Sequence, residues 1–516
     1  MGGAHDEESV KWIEKSISNN RGLKIVSSRA SQIFEDITPE MASKLPIYQG
    51  ELLLTNHSAG SINSHAYMKR WNRKNEILAY NAEVASAAAM WAQAQEYPAE
   101  RINEAWRLVL GAQFHDILPG TSIPKSYEYA WNDERIAMSI FAGILTSSSA
   151  AIINSMNTKT NRIPLIVFNS LPVEREDVAE AWIVLHGKIP PNIKVFNPDG
   201  HEVPSQLLDI DGEKLHIIFL ARVLHVSWSV FNVRPSETGY ENFSGLKITE
   251  NSLENSRYII KINENGDIGS MYDKLIKKEL LTAPARLAFQ YERPEHWPAW
   301  NMDWNNQKKP PSGYVDGQPV IRIAENGPVR IALEIAREAR GSKFNQQIRL
   351  SCGKSSERIE FDTRIDWRTK ETALKAVFPL TTSNSFASYN TGIGVVERSN
   401  NDSLKFEVPS YQWFDLTDKS GNSGVSVLED CKYGSDKPDD NTVRLTLLYT
   451  PGVRKSYKDQ ATLDYGKHHF LYGLYSHSGD WKEGGSHWQA MRLNQPLEVF
   501  QAKPHQGKMG KIFSFM

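Results

Sequence analysis

From about residue 63 to 155 apolar positions recur at helical spacing. Tyr67, Trp71, Leu78, Ala82, Ala85 and Ala89 share one face of a first helix. Pro98 opens a second, with Ile102, Trp106, Val109 and Gln113 on one stripe. The break Leu118-Pro119-Gly120-Thr121 ends it, and Ser122 and Pro124 cap and start a third. Trp131, Met138, Phe141 and Leu145 form that helix's expected stripe. Three long helices joined by short links predict an antiparallel three-helix bundle over residues 51–158.

On either side of this region the period changes. Val10-Lys11-Trp12-Ile13 starts a short amphipathic helix, Leu23-Lys24-Ile25-Val26 reads as a brief strand, and Ala30 to Ile37 as another helix. Residues 1–50 therefore look α/β and are too short to own a core. After about residue 160, β-rich runs such as Arg162–Phe168, Ala181–Leu185, Arg444–Tyr449 and His469–Tyr475 alternate with turn signals. Asp199-Gly200, Asp211-Gly212 and Asn265-Gly266 are the clearest hairpin markers. Some 350 residues of this character imply at least two β-sandwich units. We place a small β domain at 159–242 and a large one at 243–516.

Composition narrows the function classes. Lys and Arg total 59 against 61 Asp and Glu, a net charge of -2 that leaves no electrostatic footprint for nucleic acid. No run of about 18 apolar residues is evident, so no membrane span is expected. Cys352 and Cys431 lack metal-ligand spacing and read as two buried thiols, pairing between them being the alternative. No phosphate loop, nucleophile elbow or His-Glu-x-x-His pattern occurs.

The chemistry-bearing candidates are few. His115-Asp116 follows the second helix at the Pro-Gly turn, where both side chains can project from a helix end. His115 is a metal-ligand candidate, or else a histidine interacting with a helix C-terminus. One imidazole does not make a zinc site, which takes three or four ligands. His57 lies in a polar loop before the first bundle helix, facing either a cleft or solvent. His468 and His469 are consecutive in a strand and must face opposite ways. The aromatic run His296–Trp304 reads equally well as a sugar-lining loop and as a packing loop.

Several segments, in order, resemble glycoside hydrolase family 38 α-mannosidases. They are Met68–Glu76, Phe114–Ser122, Leu253–Asn255 with Gly266 and Met271–Lys274, Ile365–Trp367, Leu374-Lys375, and Tyr411–Leu416 with Asp430–Gly434. The resemblance implies an α+β multidomain chain: the remnant of an α/β catalytic domain, the bundle, then large antiparallel, galactose-mutarotase-like β-sandwiches. It implies retaining hydrolysis of an α-mannoside or oligosaccharide at a zinc, or similar divalent metal, centre. His115 would be one metal ligand, and Asp116 would contact sugar hydroxyls. His57 is carried as a further substrate-binding candidate.

The family's His-x-Asp ligand pair and its aspartate nucleophile find no counterpart here, since Ala4-His5-Asp6 has the wrong spacing. Both would lie upstream of residue 1, so the chain reads as partial, with no catalytic residue of its own and an incomplete metal site. The acid/base carboxylate is unassigned, Glu51 and His57 being nearby candidates. Alone, such a chain is expected to be inactive and to expose an apolar bundle face. The alternative is a non-catalytic carbohydrate-binding or scaffold protein of the same descent. Self-association is left open, as is the compartment, with the cytoplasm favoured.

Overall fold

The computed structural model describes residues 6–19, 22, 24–240 and 245–516. The chain divides into two units, residues 1–52 and 53–516.

In the first unit, Glu7–Ser18 forms a helix whose N-terminus is capped by Asp6, which accepts from the Ser9 amide at 2.6 Å. Single helical turns follow at Gln32–Glu35 and Pro39–Ala42, and none of these helices contains a buried residue. The expected strand at 23–26 does not form. Lys24 to Val26 are irregular, with no strand paired to them among the described residues, and Leu23 lies outside those residues, as do the first five.

The second unit begins with the bundle. Its helices span Ala66–Trp91, Ala99–Ala112 and Pro124–Ser155. Ala79, Ala82, Ala85, Ala88 and Ala89 are buried on the first helix, and such small side chains let the third helix approach closely. The expected third-helix stripe is rotated. Tyr127, Ala130, Glu134, Ala137, Phe141 and Leu145 are buried, while Trp131 stays 38% exposed. Ser122 is not the cap. Ile123 holds that position, and the Ser122 amide donates to the Tyr127 hydroxyl at 2.8 Å. By length and composition alone the third helix could cross a membrane, with an 18-residue window of mean hydropathy 1.9, a test that buried core helices also pass. Its serines and alanines raise hydropathy without looking like an apolar run. Here its buried side contributes Phe141, Ile144, Ile152 and Ile153 to the core shared with the first two helices.

Strand Ile163–Asn169 shows why this β run is continuously apolar. Leu165 and Val167 face the core of the small β region, while Ile166 and Phe168 face the bundle core beside Trp228. With both faces covered, no alternation is left to read. Two facing sheets make up this region. In one, Ile163–Asn169 and Asn192–Phe196 flank Ser227–Ser236; in the other, Lys214–Val223 lies between Arg175–Val184 and Ser205–Asp211. All three hairpin signals sit at strand reversals, with Gly200, Gly212 and Gly266 at positive φ. Assigning everything from 243 to 516 to the large sandwich needs correction. Glu498–Gln501 and Ile512–Ser514 return to pair with Ile163–Asn169 and Ser227–Ser236, giving the small sheet edges that the local sequence alone cannot supply.

The large β region holds antiparallel sheets of six and nine strands among the described residues, plus a five-stranded sheet beside them. A continuous core containing Phe289, Phe361, Trp367 and Tyr472 fills the space between them. Cys352 and Cys431 are buried thiols in that core. His468 and His469 do face opposite ways: His468 is buried with Nε2 2.6 Å from the Asp464 carbonyl, and His469 reaches Asp362 at 3.0 Å.

Three buried carboxyls make this fold sensitive to pH. Burial raises Glu429 to about 8, and Glu134 and Glu292 to about 7. The folded state therefore retains protons that the unfolded chain releases near the usual carboxylate value. The stability they contribute is complete below that value and is lost as pH rises through 7 to 8. Between pH 6 and pH 9 the Glu429→Gln variant should therefore lose less unfolding temperature than the unsubstituted chain. An unchanged pH profile in the variant would contradict the assignment to Glu429.

Candidate functional site

The turn that carries His115 and Asp116 is built by the first bundle helix beneath it. The second helix ends at Gln113, whose side-chain amide donates to Asn72 Oδ1 at 2.8 Å and Glu76 Oε1 at 3.3 Å. Lys69, buried, donates to the carbonyls of Ser64 at 2.6 Å and Leu118 at 3.0 Å, tying both ends of the site to one ammonium. Burial lowers Lys69 to about 7 and raises the nearby Asp464 to about 6. Gly120 takes φ +85, and a Cβ there would lie 2.3 Å from the Ser64 carbonyl oxygen. Only glycine permits both that dihedral and that approach.

Asp116 is oriented by its own turn. Its Oδ1 accepts from Thr121 Oγ1 at 2.9 Å, and its carbonyl accepts from the Thr121 amide at 3.0 Å. Its other oxygen, Oδ2, lies 3.5 Å from Nε2 of His115. The His115 side chain is 69% exposed and its ring lies 4.2 Å from that of Phe114. Phe114, Ile123 and Tyr129, each more than half exposed, give this end of the bundle an apolar surface.

His57 belongs to a different contact. It sits in the turn Thr55–Ser58, edge-on to Trp297 at 5.6 Å. The Trp297 loop is held against the same segment, with the Gly60 amide donating to Trp300 O at 2.7 Å and Ser64 Oγ to Ala299 O at 2.5 Å. Glu292 anchors the loop from below, accepting from the Asp303 amide, Asn306 and Gln307 at 2.7–3.0 Å. Arg293, His296, Trp297, Arg454 and Tyr457 line a cleft of about 820 Å³ on this loop. Glu51 belongs to the first unit.

Sequence reasoning missed His65. It occupies the position just before the first bundle helix with φ +61 and stacks on Tyr127 at 3.9 Å, and burial lowers it to about 3, so it stays neutral. A lone histidine ahead of a helix gave no signal, because its partners lie 60 residues and more away. Separations of about 40 to 50 residues likewise hid Lys69, Asn72 and Gln113 as supports of the turn.

Among the described residues no group of three or more His, Cys, Asp or Glu side chains is placed to hold a metal. His115 and Asp116 offer one imidazole nitrogen and one carboxylate oxygen, short of the set that zinc takes. The described residues therefore do not fit a complete zinc centre.

The helical bundle and the large β region each contain a stretch that matches a known protein family. Residues 57–152 match the alpha mannosidase middle domain, and residues 253–454 the glycosyl hydrolases family 38 C-terminal domain. The chain belongs to glycosyl hydrolase family 38. It is 26% identical over 523 residues to mouse alpha-mannosidase 2C1, covering 97% of this chain and 46% of that protein. The Saccharomyces cerevisiae alpha-mannosidase is 25% identical over 509 residues, covering 93% and 41%. Thus the chain spans about half the length of the curated relatives it matches. A family 38 protein from Enterococcus faecalis shares the fold with TM-score 0.79 at 18% identity, over 100% of this chain and 67% of that one.

The close approach at Gly120 makes a sharp test of this geometry. Gly120→Ala should destabilise by about 2 kcal/mol or more through its positive φ and the Ser64 clash, seen as a lowered unfolding temperature. Gly111→Ala, where the added carbon meets nothing within 4 Å, should leave it unchanged or raised. Equal behaviour of the two would show that the turn is not held as described.

Proposed function

We propose that this chain forms the bundle and β-sandwich part of a retaining α-mannosidase acting on α-mannosides or oligosaccharides, and that His115 and Asp116 are its contribution to the reaction centre. The observation that carries this reading is the His115-Asp116 turn, held on a scaffold of Lys69, Asn72 and Glu76 inside the segment that matches the mannosidase middle domain. In it His115 donates one ring nitrogen to a zinc ion, or a similar divalent cation, whose other ligands come from the portion of family members that this chain does not cover. The zinc, when bound, would polarise and position sugar hydroxyls. Asp116 accepts from a sugar hydroxyl through Oδ2, because Thr121 occupies Oδ1. Phe114, Ile123 and Tyr129, exposed around the turn, suit a face covered by that other portion.

A nucleophile and an acid/base are absent from this proposal for the described residues, so the chain alone should neither hydrolyse p-nitrophenyl α-mannoside nor bind zinc tightly. Fusion to the uncovered portion of a family member should restore both. In that fusion His115→Ala should lower kcat/KM by about 100-fold or more and weaken zinc binding in calorimetry. Efficient turnover by the chain alone, or a fusion indifferent to His115→Ala, would overturn the proposal. Mannose binding by the fusion without turnover would support the non-catalytic reading in its place.

A further inference from the structure

The aromatic run 296–304, which reads two ways in the sequence, forms one wall of the cleft of about 820 Å³. Residues 453–457 form the other. The two walls are tied together. The Ala299 amide donates to Oε1 of buried Gln460 at 3.0 Å, and the Gly452 amide to the Glu292 carbonyl at 2.9 Å. The buried Tyr449 hydroxyl lies 2.6 Å from the Asn301 carbonyl oxygen and 3.0 Å from that of Pro298. The cleft is therefore preformed, as ligand sites usually are. It also adjoins the His115 turn through Ser64. That residue's Oγ donates to the Ala299 carbonyl at 2.5 Å, while its own carbonyl accepts from Lys69 and abuts Gly120.

Each wall presents one aromatic residue in a backbone conformation that side chains rarely adopt. Trp297 has φ +45 and Tyr457 φ +60, yet they remain 45% and 40% exposed. The left-handed region costs free energy in any residue but glycine, and burial of these rings offsets only part of it. Glycine at 297 would serve the same turn, in which the Trp300 and Asn301 amides donate to the residue 297 carbonyl at 3.0 Å. Such strain, kept at a cleft with the ring left in solvent, is characteristic of a ligand clamp. Around the rings, Glu295, His296 and Arg454 are exposed, with no ion pair or side-chain hydrogen bond among the described residues. They supply donors and acceptors beside two apolar ring faces, the combination that a pyranose needs for its hydroxyls and its C–H face.

We propose that this cleft binds further sugar residues of an oligosaccharide substrate, with Trp297 and Tyr457 as stacking platforms and Glu295, His296 and Arg454 as hydroxyl partners. That those sugars are mannose rests on the mannosidase reading, whereas saccharide binding by the cleft does not. An extended saccharide is favoured over a single-sugar glycoside, because one pyranose fills only a fraction of about 820 Å³.

The experiment is calorimetric titration of the full chain, without metal or turnover, with mannotriose, methyl α-mannoside and maltotriose. Mannotriose should bind saturably in the millimolar range, about tenfold tighter than methyl α-mannoside. Its binding should persist at about 0.5 M salt, where ion pairing at an exposed site is screened. Trp297→Gly should weaken it by about tenfold while leaving the unfolding temperature unchanged or raised, because glycine relieves the positive φ. Tyr457→Ala, on the other wall, should weaken it by about threefold, and this comparison decides if Trp297→Gly loses stability. Absence of saturable binding by both trisaccharides, or undiminished affinity in these variants, would overturn the proposal and leave the aromatic run a packing loop. Maltotriose bound in place of mannotriose, and lost in Trp297→Gly, would uphold the saccharide cleft while counting against the mannosidase reading.

Discussion

One buried cation organises the joint on which the candidate site depends. Arg73, on the first bundle helix, inserts into the large β region with its guanidinium 4.0 Å from the ring centre of Tyr411 and 4.9 Å from that of Tyr433. It donates to Asn494 Oδ1 at 2.9 Å and to the Tyr411 carbonyl. Burial opposes its charge, but the two tyrosines and Glu76 more than restore it. Withdrawing any one partner would leave a desolvated guanidinium, and this makes the docking specific as well as strong. The helix is thereby held against the sheets in one orientation.

Everything at the His115 turn follows from that orientation. Glu76 accepts from Tyr411 at 3.0 Å on one side and from Gln113 on the other, so the β region and the end of the second helix are joined through a single carboxylate. Two turns earlier, Lys69 fastens Ser64 and Leu118. The close spacing of Lys69, Asn72, Arg73 and Glu76 places all four on one side of the helix. Their common task is to hold a short loop whose own residues have little to hold it. A second buried cation, Lys375, plays a comparable part inside the large region, where it reaches Glu407 at 2.5 Å and Asp436 at 3.0 Å while Asn63 donates to Glu407 at 2.7 Å. The segment leading into the bundle is therefore pinned from the β side as well.

The β regions show the same economy of long-range ties. The chain's last strands lie beside Ile163–Asn169 and Ser227–Ser236, more than 250 residues away in sequence, and the small sheets reach the large region through the ion pairs of Asp177 with Arg358 and Arg492.

Helical and strand periods, turn glycines and the order of family-like segments were legible in the sequence because each is a local property. Ala82, Ala85 and Ala89 mark a helix face wherever that helix goes, and Asn265-Gly266 favours a hairpin whatever surrounds it. His115-Asp116 stood out as a candidate through its place after a helix and before a Pro-Gly turn, and the family resemblance alone gave it a role. The rest required contacts between residues distant in the chain. The rotation of the third helix by its two neighbours, the return of residues 498–514 to the small sheets and the burial of His65 are of this kind. Burial and hydrogen-bond satisfaction are set by whatever the tertiary fold brings alongside, so a residue's type discloses what it can do and only its surroundings decide what it does.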